Sequence, residues 1–405
     1  MVPSGWDVKQ LSDLATVTSG GTPSRSKLNY WDGDVPWVRT TEVQNCHIFP
    51  NDVREFISSE GLKNSSAKLF PAGTILLAMI GQGKTRGQVG LLKFEAATNQ
   101  NCAAIILGEE QFSEFHFNYL LSQYQNIRNL SNSAGQSNLS GALVKSIRVP
   151  VPPYSEQKKI AEILSTWDKA ITATEQLLAN SQKQKKALMQ QLLTGKVRLL
   201  DDNGNRFEGD WKEYQINDLV KDVKRPVVWD DEDEYRLLSV KRRSEGVVLR
   251  EVLQGSQILT KKMKVASQGD FLISKMQVVH GASGLVSKEF DGCHISGSYI
   301  CLIPKNTDVL NMNFFAWFSK QKIMYHKAFL CSYGVHIEKM TFNFGMFLKE
   351  KITIPLLVKE QEKIAEILTS ADEEINQLIK KIYLLKQEKK ALMQQLLTGK
   401  RRVKA

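Results

Sequence analysis

At 405 residues, with 42% hydrophobic and 24% charged side chains, the chain has length for two or three domains, which excludes a disordered polymer and a disulfide-stapled miniprotein. Its 54 lysines and arginines against 43 acids leave a net charge of +11 and favour an acidic partner. The longest strongly apolar run, TILLAMI at 74–80, is far short of the roughly 20 residues of a membrane span, and MVPSGWDVKQLSDL lacks a basic-then-apolar leader, so a cytoplasmic location is expected.

The first predicted globular region covers 1–153. Short β-rich runs at 75–80, 89–92 and 103–107 are followed by a helical pattern at 114–122. The stretch AMIGQGKT, residues 78–85, approaches a phosphate-binding loop of the form GxxxxGK[ST], but Ala78 replaces the first glycine and GQVGLL continues as a strand, so nucleotide hydrolysis is not expected. Two readings remain: a glycine-rich turn that brings Lys84 or Arg86 to a DNA phosphate, and a plain hairpin turn. Val151-Pro-Pro-Tyr154 looks like the Pro-Pro-Tyr of an adenine methyltransferase with valine where the amino-group acceptor belongs. No GxGxxG-type cofactor loop accompanies it, so methyl transfer by this chain alone is not expected.

A helix is predicted over the next segment, 154–198, and it is repeated. Residues 156–196 return at 360–400 with a constant offset of 204 and 22 identities in 41 positions, concentrated in EQxKIAEIL and KKALMQQLLTGK. In the second copy Ile364, Leu368, Ala371, Ile375, Leu378, Ile382, Leu385, Leu392 and Leu396 alternate at spacings of four and three, broken only by Lys389. The first copy has Ile160, Leu164, Trp167, Ile171, Leu178, Leu188 and Leu192, with Thr174, Ser181 and Lys185 as polar positions. This is a heptad seam. Gly195 and Gly399 stand where a left-handed helix cap is easiest.

A polar, turn-rich joint, LLDDNGNRFEGD at 199–210, leads into the second predicted globular region, 199–358. Its strands are expected at 270–274 and 299–303 and a helix at 313–319, and the second long helix occupies 359–405. The duplication extends beyond the helices, because Trp6-x3-Gln10-Leu11-x-Asp13-Leu14 matches Trp211-x3-Gln215-Ile216-x-Asp218-Leu219. The helical segments 154–198 and 359–405 carry 8 basic against 4 acidic and 11 against 7 residues, so they supply +8 of the +11, partly as ordinary solvated faces. Basic clusters remain at Lys84 and Arg86, at Lys241-Arg242-Arg243 and at Lys261-Lys262-x-Lys264. The five cysteines form no CxxC pair and the six histidines show no ligand spacing, so buried reduced thiols and no metal are expected.

Together the Trp6 to Leu14 opening, Gly20-Gly-Thr-Pro23, Tyr30-Trp-x-Gly33, Pro36-Trp37, GQGKTRGQVG and the twin EQxKIAEIL and KKALMQQLLTGK blocks resemble the DNA-specificity subunits of bacterial type I restriction-modification systems, over essentially the whole chain. The second region lacks GGTPS and YWxG. The resemblance implies an α+β fold: two similar globular α/β target-recognition domains separated by two long helices that pair as an antiparallel coiled coil. It implies a non-catalytic subunit that reads a bipartite, asymmetric double-stranded DNA target, one half per domain, with the helix length as a ruler. Two modification (methyltransferase) subunits and the restriction (translocase and endonuclease) subunits are the implied partners, and S-adenosylmethionine, ATP and Mg are expected on those partners. Candidate DNA contacts are Arg39, Thr40, Gln82, Lys84, Arg86, Gln136, Ser137 and Asn138 in the first domain. In the second they are Lys241, Arg242, Lys275, Gln277, His280, Tyr333 and His336, all polar or aromatic types suited to base edges and phosphates. A coiled-coil scaffold without DNA reading would explain the helices but not two large regions with glycine-rich polar loops. A standalone nucleic-acid enzyme would need a catalytic constellation that the sequence does not display.

Overall fold

The structure is a computed structural model that describes residues 2–81, 83–133, 138–334 and 340–404. It divides into two compact units: residues 1–176 with 380–405, and residues 177–379.

In the first unit the fully buried strand Ile75–Ala78 explains the architecture. Its side chains alternate between two faces. Ile75 and Leu77 enter a core with Phe117 and Leu120 of helix Ser113–Ser122, while Leu76 and Ala78 enter a second core with Val38 and Phe70. A sheet apolar on both faces must be covered on both. Helices cover one side and a second sheet covers the other. The central sheet orders its strands Ala15–Ser19, Cys102–Leu107, Ile75–Ala78, Val89–Leu92 and Cys46–Ile48; the covering sheet orders Phe56–Ile57, Trp31–Val38, Ala96–Thr98 and Leu69–Phe70. Trp31–Val38 runs parallel to Ala96–Thr98.

The second unit repeats this plan with different side chains. Phe271 and Ile273 of strand Phe271–Ser274 pack on Phe314 and Phe315, and Leu272 packs with Leu238, Val240 and Ile295 on the other face. Its sheets order Val220–Asp222, Tyr299–Pro304, Phe271–Ser274 and Ser283–Leu285, and Gly246–Gln254, Glu234–Lys241, His294–Ser296 and Met263–Val265. The parallel pairing of Trp31–Val38 with Ala96–Thr98 recurs between Glu234–Lys241 and His294–Ser296, whereas the first unit's other parallel pair, Cys46–Ile48 with Val89–Leu92, has no counterpart among the described residues. In each unit a two-stranded ribbon, Asp7–Gln10 with Arg148–Val151 or Trp211–Gln215 with Lys351–Pro355, leads into a long helix.

Those helices, Tyr154–Leu192 and Val358–Leu396, have 39 residues each. Within each unit the two helical segments run antiparallel: Asp168 meets Lys389 and Glu175 meets Lys386 in the first, Ser181 meets Glu374 and Lys185 meets Asp372 in the second. Both helices end in the same way. Gly195 (φ +69°) and Gly399 (φ +72°) turn the chain back so that Val197 N–H reaches Gln191 O at 3.3 Å and Arg401 N–H reaches Gln395 O at 3.1 Å. A side chain at either glycine would also strike a neighbour, the Trp211 ring at 3.0 Å or Pro3 at 2.5 Å. The joint at 199–210 is ordered: Arg198 donates to Gly209 O and Lys363 pairs with Asp202. Among the described residues no helix is long and apolar enough to cross a membrane.

Candidate nucleic-acid interface

In the first unit the glycine-rich turn follows strand Ile75–Ala78 and is held from outside. Tyr124 Oη donates to Lys84 O at 2.7 Å, Arg128 Nη1 donates to Tyr124 Oη at 3.2 Å, and Gly87 N–H returns to Ala78 O at 2.8 Å. At φ +88°, with its Cα 's missing side-chain position 3.4 Å from the Arg128 backbone, Gly87 admits no other residue without strain. Leu139 N–H donates to Met79 O and Met79 N–H to Asn101 O, both at 2.9 Å, which brings Asn138 to the end of the sheet that carries this turn. Lys84 and Asn138 are exposed there, whereas Arg86 is 8% exposed. Thr40 reaches the same end but donates to Asn99 Oδ1 at 2.9 Å. The Arg39 guanidinium is held by Glu42 and Glu55. Both therefore have internal duties that their residue types do not reveal. Gln82, Gln136 and Ser137 lie outside the described residues.

In the second unit the hairpin turn after Glu234–Lys241 sits on the turn after Phe271–Ser274. Arg243 N–H donates to His280 O at 2.7 Å and Ser244 N–H to Gly281 O at 2.9 Å. This brings together Lys241 and Arg242, both exposed, with Gln277 and His280, both half-buried. Lys275 is exposed and its ammonium donates to Gly297 O at 2.9 Å. Tyr333, 60% exposed, follows helix Lys322–Leu330, and His336 lies outside the described residues.

The ends of the helices form a second polar constellation, built twice. Glu156 and Gln157 of the first helix, and Glu360 and Gln361 of the second, are at most 2% exposed. Gln361 accepts from Asn311 N–H and donates to Val309 O and Pro355 O, each at 2.9 Å; Gln157 accepts from Phe112 N–H at 2.8 Å and donates to Pro152 O at 2.9 Å. Each glutamine thus bolts its helix to the globular region preceding it. Each glutamate is clamped by the arginine just beyond the antiparallel helix: Arg402 reaches Glu156 at 2.7 and 2.8 Å, and Arg198 reaches Glu360 at 2.6 and 2.8 Å. Trp6 Nε1 also donates to Glu156, at 3.0 Å, while the buried Trp211 indole N–H has no such partner. Burial works against ionisation of Glu156, but the bonds from Arg402 and Trp6 outweigh it and hold the carboxyl below its usual range. Residue-type reasoning about DNA contact passed over these four polar residues and two arginines. Their signal was the exact recurrence of EQ and of arginine three residues after each capping glycine.

No three His, Cys, Asp or Glu side chains gather as metal ligands among the described residues. Cys301, buried beside Asp270 and donating to its Oδ2 at 3.1 Å, has its thiol pushed up to about 12 by burial and by that carboxylate, so it is held protonated.

The profile of the family described as the type I restriction modification DNA specificity domain matches residues 3–180 and again 208–386. The chain belongs to the type I restriction-modification DNA specificity family. Each matched stretch begins just before Trp6 or Trp211 and ends inside a long helix, so the family unit is one globular region with most of its helix. The type I restriction enzyme MjaIX specificity subunit of Methanocaldococcus jannaschii is 32% identical over 193 residues, 46% of this chain and 42% of that one. The MjaVIII specificity subunit of the same organism is 21% identical over 417 residues, covering 100% of this chain and 94% of that one. The chain thus aligns with under half the length of the first of these relatives, and with nearly all of the second. Among solved structures, the type I restriction-modification S subunit from M. genitalium superposes with a TM-score of 0.57 at 14% identity, over 98% of this chain and 96% of that one. The HsdS subunit from Thermoanaerobacter tengcongensis gives 0.53 at 16% identity, over 98% of both. These two likenesses establish the shared fold.

Proposed function

We propose that the chain is the DNA-reading subunit of a type I restriction-modification complex. Residues 1–153 and 199–358 each read one half of a bipartite, asymmetric double-stranded DNA target, and the helical segments 154–198 and 359–405 dock two modification subunits. The observation that carries this is a strand plan built twice, apart from the extra edge strand Cys46–Ile48 of the first unit, with different loops at the ends of the sheets and the same buried Glu-Gln, Lys-Asp and Arg-Glu fastenings on the helices. Divergent loops on identical mountings suit two readers of different sequences, since loops specify while scaffolds position. The subunit itself is non-catalytic; methyl transfer with S-adenosylmethionine and ATP- and Mg-dependent translocation and cleavage belong to partner subunits.

The test is to co-express the chain with its own modification subunits in a host without adenine methylation and to map modified adenines across the genome. A bipartite motif with a constant gap, changed in one half only when residues 1–153 are exchanged for those of a relative, supports the reading. A soluble, assembled complex that modifies no recurrent motif would overturn it.

A further inference from the structure

Two consecutive residues in the hairpin turn between Glu234–Lys241 and Gly246–Gln254 hold left-handed backbone: Arg243 at φ +58° and Ser244 at φ +54°. Such geometry is uphill for residues other than glycine and persists only where the surroundings over-determine it. Here they do. Besides the backbone bonds to His280 and Gly281, the Ser244 hydroxyl meets the Tyr325 hydroxyl at 2.6 Å, and Gly284 lies so close that a side chain there would sit 2.9 Å from Gly246 Cα. The effect is to fix the position of Arg243, whose guanidinium has no carboxylate partner among the described residues.

The turn forms one wall of a cleft of roughly 700 Å³ within the second unit. The rest of the lining includes Trp317, Lys320 and, from the two long helices, Lys185 and Asp372. Lys320 Nζ lies 3.8 Å from the centre of the Trp317 ring and Lys185 Nζ 5.1 Å from it. Asp372 is paired with Lys185 and acts on Lys320 only at longer range, and Glu245 lies in the turn itself, so among the described residues neither Arg243 nor Lys320 makes an ion pair. Burial pulls the Lys320 ammonium below its ordinary value, partly offset by Asp372 and reinforced by Lys185, so a bound anion would stabilise its charged form. Among the described residues, the matching place in the first unit is lined differently. Asn118 and Leu121 occupy the places of Trp317 and Lys320, if the helices are aligned on the backbone N–H groups of Phe112 and Asn311 that Gln157 and Gln361 hold.

We propose that this cleft seats a backbone phosphate of duplex DNA on Arg243 and Lys320, so that the rest of the lining, and not the recognition turn alone, contributes to binding in the second unit. The proposal rests on the DNA-reading function above, and its support is continuity: the same turn carries Lys241 and Arg242 and rests on the turn carrying Gln277 and His280. A phosphate contact adds affinity without sequence preference and is recognised by its salt dependence.

The experiment uses the complex assembled with its modification subunits and measures binding to a target duplex and a scrambled duplex between 50 and 200 mM salt. Arg243→Ala and Lys320→Ala should each weaken both duplexes alike and flatten the slope of log affinity against log salt by about 0.9, a penalty about 3.5-fold larger at 50 than at 200 mM. Arg243→Lys should keep the wild-type slope, and Lys288→Ala, which does not line the cleft, should leave it unaltered. Unchanged slopes for both alanine variants, in complexes that assemble and still prefer their target, would sink the proposal; so would a changed recognition motif for Arg243→Ala, which would make Arg243 a base reader. A wild-type complex that prefers no duplex refutes the underlying reading instead.

Discussion

Replacing Arg198 with alanine should destabilise the second unit more than the matching change destabilises the first. Arg198 makes two short bonds to a carboxylate that is 1% exposed, and its own side chain is 24% exposed. Removing one partner of a fully buried pair costs about 3–5 kcal/mol because the remaining charge is stranded. Water has some access to Arg198, so we expect about 2–3 kcal/mol here. For a unit of about 200 residues that is a fall in melting temperature of roughly 4–12 °C. Arg402→Ala should shift the first unit less, because Glu156 keeps the Trp6 indole as donor whereas Glu360 has no counterpart from Trp211. Hydrogen exchange read by mass spectrometry separates the two units, with faster exchange expected in the first turn of Val358–Leu396. A paired Arg198→Met, Glu360→Leu change should recover most of the loss, since an apolar pair of similar bulk needs no desolvation. A shift below about 2 °C for Arg198→Ala, or one no larger than that of Arg402→Ala, would show that the clamp does not fasten the helix.

Gln361→Ala should cost about 2–4 kcal/mol by stranding one N–H and two carbonyls in a site of 0% exposure, measured by urea unfolding of the intact chain. Charge reversal at Lys389 should destabilise by about 1–2 kcal/mol through its encounter with Asp168, and the double change Lys389→Glu, Asp168→Lys should return at least half of it in a double-mutant cycle. His116, wholly buried, has its pKa lowered to about 4 from 6.5 by burial, against a bond with Gln157. The unfolded chain therefore binds a proton before the folded one does, so stability should fall from pH 6.5 towards 4 by about 3 kcal/mol and then level off, and His116→Phe should flatten that limb. Glu156 adds a second acid limb: its lowered pKa stabilises the fold above the ordinary value of 4.5 and this is lost as pH falls through the folded value, a limb that Arg402→Ala should weaken.

The parts of the fold carried by local pattern were legible in the sequence. The expected runs 89–92 and 103–107 are the strands Val89–Leu92 and Cys102–Leu107, and 114–122 falls in helix Ser113–Ser122. The heptad spacing and the capping glycines located both long helices. What pattern could not supply was partnership. The sorting of strands into two layers with a mixture of parallel and antiparallel pairs depends on contacts many residues apart, and short apolar strands carry no label for their neighbours. Lys389, which reads as a break in an apolar seam, is 15% exposed and paired with Asp168. The same limit acts on the candidate interface. Lys84 and Asn138 do share an exposed end of a sheet, whereas the partners that Arg39 and Thr40 have within the fold, Glu42, Glu55 and Asn99, cannot be read from residue type.

The first unit is discontinuous in sequence, and that imposes an order on biosynthesis. Leu396 and Leu397 complete the cluster of Trp6, Phe115, Ile160 and Leu164, and Arg402 closes over Glu156 and Ser4. Residues 177–379, by contrast, form a continuous stretch. On the ribosome the second unit can finish folding as it emerges, while the helix-end cluster of the first must wait for residues 380–405, roughly 10–45 s after its own residue 176 at ordinary elongation rates. During that interval the apolar stripe around Ile160 and Leu164 is uncovered. The unit begun first therefore keeps an apolar stripe open until residues 380–405 are made, whereas the second, one uninterrupted segment, needs nothing beyond residue 379.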